Sequence, residues 1–531
     1  MGPSSSTYER AADLLMERFP TLGLLVNGWE PKEWEEEPLP SFELGKEEVF
    51  YFYGLSPKVY FKCKKWLTHP ENKLVFLEDD PGVIAAFLQM DEAGVILGHP
   101  QVYIEHFFKK EAEIEALADK FPAKRIEMAH LSSKKGGKSL RLRLLRKTTL
   151  AYALHADRLH GYQIFSNFCQ NVKQLPDSFY VNGLKGAFQG TPAIVCGAGP
   201  SLSSTVATLE RMGNRALIIA GGSTLAALSS RGIEPHFGMA LDPNLEEYRR
   251  FRNSFAFEVP LIYSTRVHPG VFQTCNGPLG YMRSGIGGLL ELWIEEELKL
   301  EEPLLGDFLS PETVSVTGIC VAFAQFLGCS PILLNGIDMA YTGGVRYASG
   351  VDGDERIAFD EIDREKSAAD RIVRKKDRLG KTVYSAIRWV MESASISHFA
   401  KMDKKTKFIN TTSGGIGFQG IDYMPIEEAV LGFEERDLRS EVFAAIQNGR
   451  MPKNSRQKIK ELMGELRRSL ERVICHLKVL SLGPSPLAEI ELQEEIATLF
   501  LFYDIRRVLK AGPTFWQKWL ELAKKYKAVL C

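Results

Sequence analysis

The sequence lacks most of the signatures that settle a chemical class at a glance. Its eight cysteines (Cys63, Cys169, Cys196, Cys275, Cys320, Cys329, Cys475 and Cys531) are scattered and include no C-x-x-C pair. That spacing offers neither a disulfide framework nor a zinc site. No run of about 18 apolar residues occurs, so no membrane-spanning helix is expected. The opening segment MGPSSSTYERAADLLMERFP has no basic flank followed by an apolar core, so it is not expected to act as a secretory signal. Charge of one sign is not in excess either: 66 basic and 67 acidic residues leave a formal net charge of -1. This balance gives no electrostatic reason to expect a nucleic-acid partner. A cytoplasmic chain is expected.

What is present is an ordinary globular composition, 45% hydrophobic and 25% charged, over 531 residues, which is too long for one core. The expected class is α/β, in four stretches. Residues 1–150 read as a smaller N-terminal α/β domain, 151–190 as a helical connector, 191–424 as a Rossmann-like domain and 425–531 as an α-helical C-terminal domain.

In the first stretch, EEVFYFYG and KLVFLEDD are apolar strands alternating with amphipathic segments, the pattern of βαβ units. Gly54 ends one strand and Glu78, Asp79 and Asp80 end the next, where a Rossmann domain meets phosphate and ribose. Gly54-Leu55-Ser56-Pro57 has one glycine where a dinucleotide fingerprint needs several, so a structural domain is the expectation. Gly137-Lys138-Ser139 imitates the end of a P-loop, but Ser132 stands where the earlier glycine belongs and no strand precedes it. A solvated basic loop leading into a helix fits better.

In the last stretch, Ile459, Leu462, Met463, Leu466, Leu470, Val473, Ile474 and Leu477 recur at helical spacing. A second periodic segment runs through Leu492, Ile496, Leu499 and Phe500 to Gly512-Pro513, and a third starts at Phe515. The stripe predicts helices packed on the core, with an oligomerising face as the alternative.

The central stretch carries the chemistry. Ala193 to Cys196 is a short apolar strand, Ser204 to Met212 a helix, and Gly197-Ala198-Gly199-Pro200-Ser201 lies between them. Glycines permit a tight turn and close backbone approach, Pro200 suits a first helical position, and the free N–H groups of a helix start attract phosphate. Strands are expected at Ala216 to Ala220, at Phe237 to Leu241 and at Pro331 to Leu334, with helices at Ser223 to Ser230 and Gly318 to Leu327. Asp242-Pro243-Asn244, Ser264, Thr265, Arg266 and His268, and Asp338 each follow a strand, at the edge where open α/β sheets bind ligands. Asp352-Gly353-Asp354 imitates a metal-binding D-x-D, but its charged surroundings read as a solvated loop or lid.

The run from CGAGPSL through RGIEPHFGMALDP, LGCSPILLNGIDMAYT and INTTSGGIGFQGI resembles the motility-accessory-factor (Maf) family of bacterial flagellin glycosyltransferases, whose central domain is similar to sialyltransferases. The resemblance covers most of Thr191 to Gly420. It implies transfer of a nonulosonic acid, of the pseudaminic, legionaminic or sialic type, from a CMP-activated donor to Ser or Thr hydroxyls. The implied partners are that nucleotide sugar and an acceptor protein, flagellin in the family. No cofactor and no metal are required. Gly197, Ala198, Gly199, Pro200 and Ser201 match the nucleotide loop, Asp242 the Asp-Pro, Asp338 the Gly-x-Asp, and Gly414 and Gly415 the late Gly-Gly turn. Asn244 and Thr317 join the expected donor site, and Asp242, His268 and Asp338 are the catalytic candidates. His236, Ile337 and Tyr347 depart from the pattern, standing where Asp, Gln and a His-bearing region are usual.

Two other readings stay open. The Gly-rich motif is shared with archaeal-type hydroxymethyl-dihydropterin pyrophosphokinase, which would transfer diphosphate from ATP with Mg²⁺. A degenerate transferase acting in assembly is the third.

Overall fold

The computed structural model of the chain describes residues 5–254, 258–306, 309, 313, 315–351, 367–498 and 515–530. They divide into two compact units. The first comprises Met1–Ala156, Ala358–Val373 and Ala386–Arg388; the second comprises Asp157–Ile357, Arg374–Ser385 and Trp389–Cys531. This division does not follow the four stretches, because the connector from Asp157 onward and the C-terminal helices fall in one unit with the central sheet.

The first unit holds four strands, β1 (Glu48–Tyr53), β2 (Lys73–Glu78), β3 (Val102–His106) and β4 (Arg125–His130), in the order β3-β2-β1-β4. All pairings are parallel. β1 is buried on both faces, as its unbroken apolar and aromatic run requires. The segment after residue 366 also belongs here: the Ala368 N–H donates to Lys124 O at 2.8 Å, and Arg371 donates to Ile126 O at 2.7 Å and to Glu127 Oε2 at 3.1 Å.

The second unit is built on an eight-stranded, all-parallel sheet. Its strands are β5 (Phe179–Tyr180), β6 (Ala193–Cys196), β7 (Leu217–Gly221), β8 (Phe237–Ala240), β9 (Leu261–Tyr263), β10 (Leu279–Tyr281), β11 (Ile332–Asn335) and, beyond a β12–β13 hairpin (Ile372–Lys376 and Thr382–Ala386), β14 (Phe408–Asn410). The order is β14-β11-β6-β7-β8-β9-β10-β5. Alternating strand residues feed two cores, as the two-residue period demands. Ile194, Ile218, Leu261 and Leu333 meet Leu209, Leu225 and Phe168 on one face. Val195, Ile219, Met239 and Leu334 meet Ile319, Phe323, Ile396 and Val442 on the other.

The Ser455–Leu482 helix buries Ile459, Leu462, Leu466, Leu470, Val473, Ile474 and Leu477, the stripe expected from the sequence. With Trp519 of the Phe515–Val529 helix, that stripe joins the first of the two sheet cores. The Pro486–Thr498 helix begins the second periodic segment; Leu499, Phe500 and Gly512-Pro513 lie outside the described residues. Among the described residues no helix is long and apolar enough to cross a membrane.

Candidate functional site

Strand order locates the site. The chain runs outward from β6 through β7, β8, β9 and β10, then returns to lay β11 on the opposite side of β6. Parallel open sheets open a crevice at such a reversal, outside the carboxyl ends of the two strands. The loops leaving β6 and β11 meet there, and they are Gly197–Ser201 and Gly336–Asp338.

These two loops are sewn together by backbone. The Gly197 N–H donates to Asn335 O at 2.8 Å, and the Gly199 N–H to Gly336 O at 2.8 Å. Side chains would prevent this approach: a Cβ on Gly199 would fall 2.7 Å from Gly336 O and 2.8 Å from Asp338. Asp338 is 2% exposed and accepts hydrogen bonds from both the N–H and the hydroxyl of Ser201, the former at 2.8 Å. Burial pushes the Asp338 carboxyl up, and the Ser201 donors work against that by favouring its charged form. Asp338 therefore caps the short 3₁₀ turn Pro200–Ser204. The helix that follows, Val206–Met212, starts two residues later than the pattern predicted. Of the turn's N–H groups, only that of Ala198 lacks a hydrogen-bond partner among the described residues.

Gly414 and Gly415 follow β14 and pack on the same loop. The Ile416 N–H donates to Asp338 O at 3.0 Å, and Gly415 has a positive φ of 76° with the Asp338 carbonyl in the space of its missing Cβ. Thr412 Oγ1 accepts from the Ile337 N–H at 3.1 Å. Ile337 is buried beneath the Gly197 turn, so its side chain packs there rather than lining the open crevice. Thr317 lies in the first turn of the Val316–Phe326 helix, where its N–H donates to the Ser315 hydroxyl at 3.2 Å.

Asp242, Asn244 and His268 form a second group, farther along the edge. Asp242 and Asn244 are exposed on the loop after β8, and the His268 N–H donates to Asp242 O at 3.2 Å. Asn167 ties the two loops from beneath, donating to Pro243 O at 3.1 Å and to Arg266 O at 2.9 Å. The His268 ring stacks on Tyr248 with centroids 4.9 Å apart, and its Nδ1 accepts from the Gly270 N–H at 3.1 Å. That bond leaves the proton on Nε2, and burial pushes the imidazole pKa down, so neutral His268 is a donor at Nε2. Four strand spacings separate β11, which leads to Asp338, from β9, which leads to His268, about 19 Å. Asp338 and His268 thus do not form one cluster.

His236 lies at the opposite edge of the sheet, just before β8. It is 4% exposed, its Nδ1 accepts from the Ile218 N–H at 3.0 Å, and burial pushes its pKa down to about 4. Asp352-Gly353-Asp354 lies outside the described residues. Among the described residues no group of three or more His, Cys, Asp or Glu is placed to hold a metal ion.

Sequence reading passed over Glu291. Its buried carboxylate accepts from the Ser264 hydroxyl at 3.0 Å and from the N–H and hydroxyl of Thr265, fixing the loop that carries Arg266 and His268. The signal was available in Ser284-Gly285-Ile286-Gly287-Gly288, glycines between a strand and a helix; Gly287 leaves the space that the Glu291 carboxylate fills.

In the first unit, the acidic strand end is neutralised from within. Lys134 pairs with Glu78 and, at 2.5 Å, with Asp79, whose other oxygen accepts from the Tyr53 hydroxyl at 2.5 Å. Burial works against ionised Asp79, but Lys134 and Tyr53 still hold it well below the usual carboxylate range. Asp80 caps the Pro81–Leu88 helix, accepting from the Gly82 N–H at 2.9 Å. Gly54 lies against Leu131. Gly137, Lys138 and Ser139 open the Gly137–Leu159 helix.

With this geometry in place, comparison with known proteins is informative for the central region. Residues 166–344 match the family described as 6-hydroxymethylpterin diphosphokinase MptE-like. The match covers about a third of the chain, spans β6 through β11 and agrees with the expected likeness of the central region to pterin pyrophosphokinases. No curated protein matches the sequence significantly. A solved structure described as a MAf glycosyltransferase from Magnetospirillum magneticum AMB-1 aligns at 16% identity and a TM-score of 0.47, over 99% of this chain and 78% of that one.

Proposed function

We infer that the chain is a glycosyltransferase that moves a nonulosonic-type sugar from a CMP-activated donor to a protein Ser or Thr hydroxyl, with flagellin as the acceptor named by the motif resemblance. The observation that carries this reading is the state of the Gly197–Ser201 turn. Its Gly197, Gly199 and Ser201 N–H groups are already bonded to Asn335, Gly336 and Asp338. A loop that grips a di- or triphosphate does so with several convergent N–H donors, whereas a sugar linked through one phosphate needs few.

In this reading the donor lies along the carboxyl edge, its phosphate near the turn and its sugar toward Asp242 and His268. The acceptor oxygen bonds to the anomeric carbon as the bond from that carbon to the phosphate oxygen breaks, and CMP departs with the electron pair. Asp242 takes the acceptor's proton as general base. His268 Nε2–H donates to the sugar as it is transferred, holding it against Asp242. Asn244, Thr317, Gly414 and Gly415 line the donor's path, and Asp338 acts as a positioning residue through Ser201. A single donor phosphate needs no bridging metal.

The MptE-like match supports one other reading, diphosphate transfer from ATP to a hydroxymethyl-dihydropterin. Thermal unfolding of the full chain with CMP, CDP, UDP, GDP and ATP, each with and without Mg²⁺, separates the two, since a ligand that binds the native state raises the midpoint. A metal-independent shift with CMP supports sugar transfer. A shift with ATP and Mg²⁺ alone would overturn it.

A further inference from the structure

Beside the Gly197 turn, the loop after β11 and the Ile387–Met402 helix build an aromatic and cationic stack, of which Arg346 and Trp389 lie outside the quoted motifs. The Ala348 N–H donates to Ala198 O at 2.8 Å, which fixes the two preceding residues, Arg346 and Tyr347, against the turn. The Arg346 guanidinium carbon lies 4.9 Å from the Tyr347 ring centre and 5.9 Å from that of Trp389. Trp389 comes from the first turn of the Ile387–Met402 helix, and its ring is 4.8 Å from Tyr341 at 57°. Two bonds hold this arrangement in place: the Tyr341 N–H donates to Tyr384 O at 2.8 Å, and the Ser385 hydroxyl donates to Met339 O at 2.7 Å.

All four side chains are half-buried, whereas Phe237, Tyr263 and Tyr281, aromatic residues of strands farther along the sheet, are fully buried. Half-exposed large rings, ordered by a guanidinium, are poor core and good ligand surface. A guanidinium stacked by its face keeps its N–H donors at the edge, suited to a phosphate.

We propose that this stack is the nucleotide subsite: the base of a nucleoside monophosphate lies on the Trp389 indole, and its phosphate is shared by the Arg346 edge and the Ala198 N–H. The assignment rests on the nucleotide-sugar reading above and adds the residues that recognise the nucleotide.

The test is titration of the full-length protein with CMP and with cytidine, read by calorimetry and by tryptophan fluorescence. Stacking quenches Trp389, so wild-type fluorescence falls with the calorimetric isotherm and the quench vanishes in Trp389→Phe, which keeps a ring. Trp389→Leu weakens CMP about ten-fold or more, the scale of one base–aromatic stack. Arg346→Gln weakens CMP by about ten-fold and cytidine by less, because the phosphate contact is lost for CMP alone. CMP binding with the same affinity to Trp389→Leu, without a wild-type quench, overturns the subsite and leaves the nucleotide reading standing. If neither CMP, UMP, GMP nor AMP binds the wild type, both fall.

Discussion

The Ser201 N–H donates to Asp338 Oδ1 at 2.8 Å, so a carboxylate 137 residues away caps the turn that follows β6. Both partners are buried, and a buried donor left without its acceptor costs about 1–3 kcal/mol. Asp338→Ala should lower stability by that amount in urea unfolding. Asp338→Asn, which keeps an acceptor, should lose less. An equal loss in both variants would mean that the charge, rather than the hydrogen bond, holds the turn.

Gly199 and Gly285 provide a matched pair of alanine substitutions. A Cβ on Gly199 meets Gly336 O and Asp338 at under 3 Å, whereas one on Gly285 meets nothing within 4 Å. Gly199→Ala should cost about 1–3 kcal/mol by overpacking and weaken nucleotide binding. Gly285→Ala should change stability by less than about 1 kcal/mol. Melting curves of the two variants, recorded side by side, decide the matter.

Lys134 is only 15% exposed and is paired to the fully buried Glu78, so removing its charge strands a carboxylate. Lys134→Met should cost about 3–5 kcal/mol, and Glu78→Gln in the same chain should recover part of it. The Arg456–Asp177 pair is two-thirds exposed on both sides; breaking it should cost under about 1 kcal/mol. Denaturant midpoints for the three variants would expose any failure of this ordering.

Glu295 yields a pH dependence. Burial pushes its carboxyl up to about 7, with Glu291 adding repulsion, while Tyr281 and Arg283 act in the opposite sense. A carboxyl whose folded pKa is raised contributes most stability when both states are protonated. That contribution is full below the ordinary glutamate value of 4.5 and is lost as pH rises toward about 7. Glu295→Gln should therefore flatten the decline of melting temperature across this window. A wild-type curve with no more decline there than the variant's would rule out the raised pKa.

Asp242 and His268 carry different roles in the proposed transfer. Asp242→Asn should reduce turnover by about 10²- to 10⁴-fold, the loss expected for a general base, with CMP affinity little changed. His268→Gln, which can still donate, should retain more activity than His268→Ala. Initial rates of CMP release with a peptide or protein acceptor measure both.

Much of the fold was legible because it is encoded locally. Ala193–Cys196 matched to the residue, and the strands near Leu217, Phe237 and Ile332 shifted by a residue or so at their ends. The helical stripe from Ile459 to Leu477 is buried as its period demanded. Lys134 was not legible: it reads as part of a solvated basic loop, yet it folds back onto Glu78 and Asp79, because a long cationic side chain goes where a buried acid needs it. Glu291 was hidden in an amphipathic helix whose last two glutamates, Glu296 and Glu297, face water.

By itself the sequence determined the alternation of strands and helices and the glycines at the strand ends, since periodicity and backbone freedom are properties of neighbouring residues. Only the tertiary structure decided that β11 lies beside β6, and hence that Asp338 reaches Ser201, that Gly415 packs on Asp338, that Ala348 bonds to Ala198 and that Arg346 lies over Trp389. Parallel strands are joined through long crossovers, and apolar periodicity specifies which face is buried but not which strand is the neighbour.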